Sequence, residues 1–382
     1  MKRILFFTML LFSLNAKHVF VAGEGSFYNP NSGSISSIDE NGSVAVLNNV
    51  GSVVHAVEAY QNMLLVSVNG DYKMQVYNIS NQGLSLQSEI SMEGLSPREI
   101  VVINHKAYVT VWNPDWTIYP NVDGYIKVVD LNSFQVLESI QVGVMPEDLL
   151  YSNGCLWVAN SGESSISKIN IDSNIVEEEI YVGQGPLFLS ELNNQVYVAR
   201  TYYDDSWNAN FGTSKVGLDE TSQIMEYGAG IACGGSILKY NNNIYRSFDG
   251  GVAPVDQNLE IVSNQKIGNY DPAMVYHAES IGDNIWIALT DFSSLNKVKV
   301  LSQQGVEIGS YDVGDIPGDF AEWEMCYFSG DAAEDGIINI FDVVSIVDGI
   351  IFETDYNCEA DINIDGFINV LDLTNIVDSI LN

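Results

Sequence analysis

Positive charge is scarce in this chain and runs out before its end. The 382 residues hold 15 Lys and Arg against 50 Asp and Glu, a formal net charge of -35, and no Lys or Arg follows Lys299. A field of that sign repels phosphate backbones and anionic bilayers, which excludes nucleic acid and acidic membrane surfaces as partners and favours divalent cations. No segment reaches the roughly twenty apolar residues of a spanning helix, so no membrane span is expected. Helical periodicity is nearly absent from residues 18–323. There are 4 histidines, His18, His55, His105 and His277, and no two stand at a metal-ligand or triad spacing. Each is expected to be a surface or satisfied core residue. A P-loop, a Rossmann fingerprint and a Gly-x-Ser-x-Gly elbow are missing, and no catalytic residue is assigned.

The opening residues 1–16 do carry a pattern. Lys2 and Arg3 precede the apolar stretch Ile4 to Leu14, and Ala16 supplies a small residue at a cleavage point. This reads as a secretory signal peptide, so the mature chain is expected to be secreted, at the cell surface or in the periplasm.

Residues 331–382 hold the same loop twice. Asp331-Ala-Ala-Glu-Asp335-Gly336-Ile337-Ile-Asn339-Ile-Phe-Asp342 is echoed by Asp361-Ile-Asn363-Ile-Asp365-Gly366-Phe367-Ile-Asn369-Val-Leu-Asp372. Oxygen side chains at positions 1, 3, 5, 9 and 12, a carbonyl at 7 and Gly at 6 are the EF-hand arrangement for Ca2+. In the second loop Asp361, Asn363, Asp365, Asn369, Asp372 and the Phe367 carbonyl fill every position. The first has Asp331, Asp335, Asn339, Asp342 and the Ile337 carbonyl, but Ala333 offers no side-chain oxygen, so weaker binding is expected there. Each loop runs into an apolar helix, while neither is preceded by a helical pattern. Cys326 and Cys358 stand before the two loops, and a disulfide between them would clamp the entrances in an oxidising compartment. Cys155 and Cys233 are expected to be buried thiols.

A tandem of loop-helix units with Asp at position 12 resembles a type I dockerin. That resemblance implies an EF-hand-type, calcium-dependent plug for a cohesin module, usually in polysaccharide-degrading assemblies. The chain departs from it at Ala333 and at the apolar pairs Ile340-Phe341 and Val370-Leu371, where small hydroxyl residues are common. Docking onto the protein's own larger domain therefore stays open beside docking onto a cohesin.

The body of the chain is a repeat. Gly-x-x-Pro recurs at Gly94 to Pro97, Gly143 to Pro146, Gly183 to Pro186 and Gly314 to Pro317, with looser versions starting at Gly51, Gly230 and Gly268. Seven starts, about forty to fifty residues apart, each introduce four short alternating strands, which is one propeller blade. The last start has room for one strand, and three N-terminal strands would complete it and remove the open edges. The expected architecture is mainly β: a signal peptide at 1–16, a seven-bladed propeller over 17–323 and a small calcium-binding helical module over 324–382. Val158-Ala-Asn-Ser-Gly162 with Ile166-Ser-Lys-Ile169, and Gly33-Ser-Ile-Ser-Ser-Ile-Asp39, resemble the YVTN-type, lactonase-like propellers. This implies a fold and no particular reaction.

Two insertions bring aromatics to one rim: Trp112, Trp116 and Tyr119 from one unit, Tyr202, Tyr203 and Trp207 from another. Aromatic platforms beside carboxylates suit sugar rings or cationic groups, so a glycan or small ligand is the expected guest. Glu99, Glu147, Asp148 and Asp271 border the Gly-x-x-Pro turns and would face the funnel, but nothing in the sequence selects an acid-base pair among them. The expected protein is an exported, non-catalytic binding or scaffold protein. A propeller hydrolase or lactonase tethered to a polysaccharide-degrading complex is the alternative.

Overall fold

A computed structural model describes residues 17–26, 28–80, 83–115, 117, 123–217, 219–230, 235–324, 330–333, 335–352, 358–363 and 368–381. They fall into two compact units, Val19–Glu322 and one that includes Trp323–Asn382.

The larger unit is a seven-bladed propeller. Six blades have four strands each, in simple antiparallel order. Pro146–Ser152, Cys155–Asn160, Ser165–Asn170 and Ile175–Tyr181 form a representative one. The blade begun by Ile237–Tyr240 has only three strands. Beyond its Pro254 the Asp256 carboxylate captures the amides of Asn258 and Glu260, curling the chain where a fourth strand would run. The last inner strand, Pro317–Glu324, heads a sheet completed by Lys17–Gly23, Gly33–Asp39 and Val44–Gly51.

Apolar residues alternate along each strand, and because blades stack face to face both faces of a middle strand are buried. Tyr108, Ile126 and Val128 of one blade pack on Leu149, Leu156 and Val158 of the next, and Trp157, Ala159 and Ile166 pack on Leu189, Val196 and Val198 of the one after. The core is thus a set of slabs between blades, and emptying one, as by Leu156→Ala, would cost about 2–5 kcal/mol.

The innermost strands follow the Gly-x-x-Pro turns and contact their neighbours around the axis. Their pairing slips just after the turn, between Val54 and Ala56, Pro97 and Ile100, Pro146 and Leu149, Pro186 and Phe188, and Val275 and His277. Such bulges twist the strand and re-aim its side chains. Consecutive residues after the turn therefore both reach the axis, at successive depths.

In the smaller unit two helices, α1 (Ile340–Phe352) and α2 (Val370–Leu381), follow the two repeated loops. Ala332, Ile346, Ala360 and Ile376 form their buried core. Asn339 and Asn369 cap the helices, each accepting the backbone N–H two residues on.

Candidate functional site

His55, Arg98, Glu147 and Tyr276 stand at the first positions after turns, and with Glu24, just beyond the strand Lys17–Gly23, they form a set whose charges neutralise one another. Arg98 donates from Nε to Glu147 Oε2 at 3.1 Å and from Nη2 to Glu147 Oε1. His55 sits between two carboxylates, with Nε2 3.5 Å from Glu147 and Nδ1 3.7 Å from Glu24. Tyr276 donates its hydroxyl to Glu24 at 2.7 Å. The Arg98 guanidinium also lies 4.2 Å over the Trp112 ring, whose Nε1–H is fixed on the Pro146 carbonyl. Burial alone would raise Glu147, but Arg98 and His55 outweigh it and hold its carboxyl at about 2. Glu24 is likewise held below its ordinary value against burial, by His55 and Tyr276.

One residue deeper, the same strands line a cavity of about 240 Å³ with Glu58, Glu99, Asp148, His277, Glu279 and Asp319, beside Phe188 and Ser236. No Lys or Arg is among its described lining residues. Two of these carboxylates bridge blades: Asp148 Oδ2 accepts the Leu189 amide at 2.6 Å and Asp319 Oδ2 accepts the Val57 amide at 2.7 Å. His277 Nε2 meets Glu279 Oε1 at 2.6 Å and its Nδ1 lies 3.5 Å from Ser236 Oγ. Burial, with like charge alongside, pushes Glu58, Asp148 and Asp319 up to about 8, and burial pushes Glu279 up to about 7. Glu99 rises too, from burial and the nearby Asp319 and Asp148. His277 is lowered, chiefly by burial, which favours its neutral imidazole.

A third site lies on the rim. Tyr202, Tyr203 and Trp207 border a cleft of about 760 Å³ together with Glu163, Asp204 and Asp205. Tyr203 is 62% exposed and Trp207 is 83% exposed, with their rings 6.4 Å apart. Tyr202 is held by its hydroxyl on Glu226 at 2.5 Å. Asp204 accepts the amides of Ser206 and Asn208, which shapes the loop that presents Trp207. Of the six rim aromatics read from the sequence, these three share the cleft, whereas Trp112 stands apart, stacked under Arg98. Trp116 and Tyr119 lie outside the described residues.

In the first C-terminal loop, Asp331 accepts the amides of Asp335 and Gly336, and Asp342 accepts those of Ala333 and Asn339. Gly336 has φ 83, the left-handed turn expected at position 6. In the second, Asp372 accepts the amides of Asn363 and Asn369 in the same pattern. Asp342, Asp361 and Asp372 are fully buried, and an all-oxygen donor set of this kind fits a hard cation. Asp365 and Phe367 lie outside the described residues, as do Cys326 and Cys233. Cys358 is disulfide-bonded and Cys155 is a free, half-buried thiol.

The sequence reading pointed to Glu99, Glu147 and Asp148, which do reach the axis. Asp271 instead stays exposed and caps its own turn through the Ala273 amide. His55 and His277, read as ordinary surface or core residues, both stand in the channel, and Glu24, Glu58, Arg98, Tyr276, Glu279 and Asp319 were not singled out. A usable signal was present: the second residue after the turn proline is acidic in three units, at Glu99, Asp148 and Asp319.

No family model matches the chain, and no curated protein matches it. Solved structures share the fold. A candidate 6-phosphogluconolactonase from Bacteroides uniformis ATCC 8492 is 12% identical, with TM-score 0.57, over 80% of this chain and 99% of that one. A protein of unknown function from Desulfotomaculum acetoxidans DSM 771 is 13% identical, with TM-score 0.55, over 81% and 98%. Hydrazine synthase of Kuenenia stuttgartiensis is 12% identical, with TM-score 0.55, over 72% and 93%. The chain is therefore a seven-bladed propeller whose neighbours have varied functions.

Proposed function

We propose that this is an exported, non-catalytic binding protein, with recognition at the propeller rim and calcium-dependent docking through the C-terminal loops. The observation that carries the reading is the exposed pair Tyr203 and Trp207 over an open, acid-bordered cleft. Leaving two large rings in water is unfavourable unless a guest covers them. A sugar ring fits: its apolar face stacks on the aromatics while Glu163 and Asp205 accept its hydroxyls. At the C-terminus, the calcium-filled loops would orient α1 and α2 so that the exposed pairs Ile340-Phe341 and Val370-Leu371 meet a partner, either a cohesin-type module or the chain's own propeller.

A glycan array probed with the full chain tests the rim. Trp207→Ala should remove the signal of every bound glycan, and an unchanged profile would overturn the assignment. Calorimetry with Ca2+ tests the loops, where Asp361→Ala should abolish the tighter event.

A second reading, a hydrolase, draws on the axial cavity. Carboxyls lifted to about 7 and about 8 beside a neutral imidazole are placed to exchange protons near neutral pH. Turnover of a lactone or glycoside panel that is lost in Glu58→Gln would favour it over the binding role.

A further inference from the structure

The geometry points to a divalent transition-metal site on the propeller axis, ligated by His277, Glu279 and Asp319 and suited to Zn2+. One ligand atom from each of these residues lies within 4.8 Å of the others. Tetrahedral zinc with bonds of about 2.1 Å places its ligands about 3.4 Å apart, inside that limit. Imidazole nitrogen with two carboxylate oxygens is a zinc-type donor set, whereas calcium and magnesium take oxygen alone.

The surroundings supply what a metal centre needs beyond its ligands. Metal-bound imidazoles are oriented through their other nitrogen, and here His277 Nδ1 faces Ser236 Oγ at 3.5 Å, itself pinned by the Ala278 amide at 2.9 Å. Asp319 is held from the neighbouring blade by the Val57 amide, which fixes one oxygen and leaves the other for the cavity. His277 and Asp319 are both more than nine-tenths buried, so neither is a mobile surface group.

The spacing of the two acids adds to this. The Glu279 and Asp319 ligand oxygens lie within 4.8 Å of each other, and two ionised carboxylates held so close repel unless a proton or a cation lies between them. Unit charges about 4 Å apart repel by about 4 kcal/mol at an effective dielectric of about 20. Glu58, Glu99 and Asp148 add to that field, and no described lining residue opposes it. A cation answers this arrangement in a way the paired layer above does not require. At about 240 Å³ the cavity exceeds the roughly 30 Å³ share of one water several-fold. A metal held by three protein ligands thus keeps an open position for water or a small guest.

The inference depends on neither reading of function. Its test uses the full chain, stripped with chelator and dialysed against micromolar Zn2+ with millimolar Ca2+ present to fill the C-terminal loops. Elemental analysis should find one zinc per chain. His277→Gln and Glu279→Gln should each weaken retention at least tenfold, while Asp361→Ala leaves it unchanged. Co2+ in place of zinc should give visible d–d bands that His277→Gln abolishes. Metal-free Glu279→Gln should melt no lower than the native chain, because it removes a repelling charge. That separates loss of the site from loss of the fold. Failure of the native chain to retain zinc, or undiminished retention in both variants, would overturn the proposal.

Discussion

Along the propeller axis, the first and second residues after Pro97 and Pro146, Arg98 and Glu99 in one blade and Glu147 and Asp148 in the next, stand one position apart and handle buried charge differently. In the upper layer Arg98 and His55 face Glu147 and Glu24, so two cationic groups meet two carboxylates. In the lower layer five carboxylates share a cavity with one neutral imidazole and no described Lys or Arg. The bulge after five of the turns makes this possible, because it sends adjacent side chains to the same axis. A paired layer stabilises the ring by itself. An unpaired layer stores repulsion that only protons or a bound cation relieve, which is the signature of a place kept ready for a ligand.

Substitutions that remove one charge from each layer should differ in sign. Arg98→Met leaves Glu147 and Glu24 with His55 alone, and breaking such a buried pair costs about 3–5 kcal/mol, readable as a lower urea midpoint. Glu279→Gln in metal-free protein should leave the midpoint unchanged or raise it. Equal losses in both variants would erase the distinction.

Acid and alkali should separate the layers next. Glu147 is depressed to about 2 from an unfolded value near 4.5, so its contribution is present above about pH 4.5 and is lost as pH falls towards 2. That is about 3 kcal/mol. Glu58, Asp148 and Asp319 are raised to about 8 from unfolded values near 4. They favour the fold below about pH 4 and cost stability as pH climbs to 8, where the unfolded chain ionises freely and the cavity resists. Metal-free protein should therefore be most stable near pH 4–5, with loss on both sides in pH-dependent denaturation.

Zinc should act on only one of those sides. At a hundredfold excess over its dissociation constant it adds about 2.7 kcal/mol, so the melting temperature should rise at pH 8 and hardly move at pH 4. The rim gives the smallest effect on stability: Trp207→Ala removes an exposed ring and should change stability by less than about 0.5 kcal/mol while abolishing ligand binding.

The ring itself was legible from Gly-x-x-Pro spacing and alternation, since a repeated turn fixes where every inner strand starts. The three-stranded blade was not, because its fourth strand is displaced by a turn centred on Asp256 that looks like ordinary loop sequence. The rim was half legible. Tyr203 and Trp207 share a cleft with Tyr202, but Trp112 sits on a short inward path ending under Arg98, and sequence distance cannot register that stacking. The axial cluster stayed hidden for a topological reason: His277, Glu279 and Asp319 belong to two blades, and their meeting depends on a bulge rather than on spacing. The acidic residue two places after the proline marked its rim, without showing that Glu58 and Glu279 would join.

The most direct test of the contrast between layers is anomalous diffraction at the zinc edge from crystals of the full chain grown near pH 7.5 with zinc and calcium. The account predicts a single axial peak within bonding distance of His277, Glu279 and Asp319, and none between Glu24 and Glu147. An empty lower layer, or a peak in the paired layer instead, would contradict it.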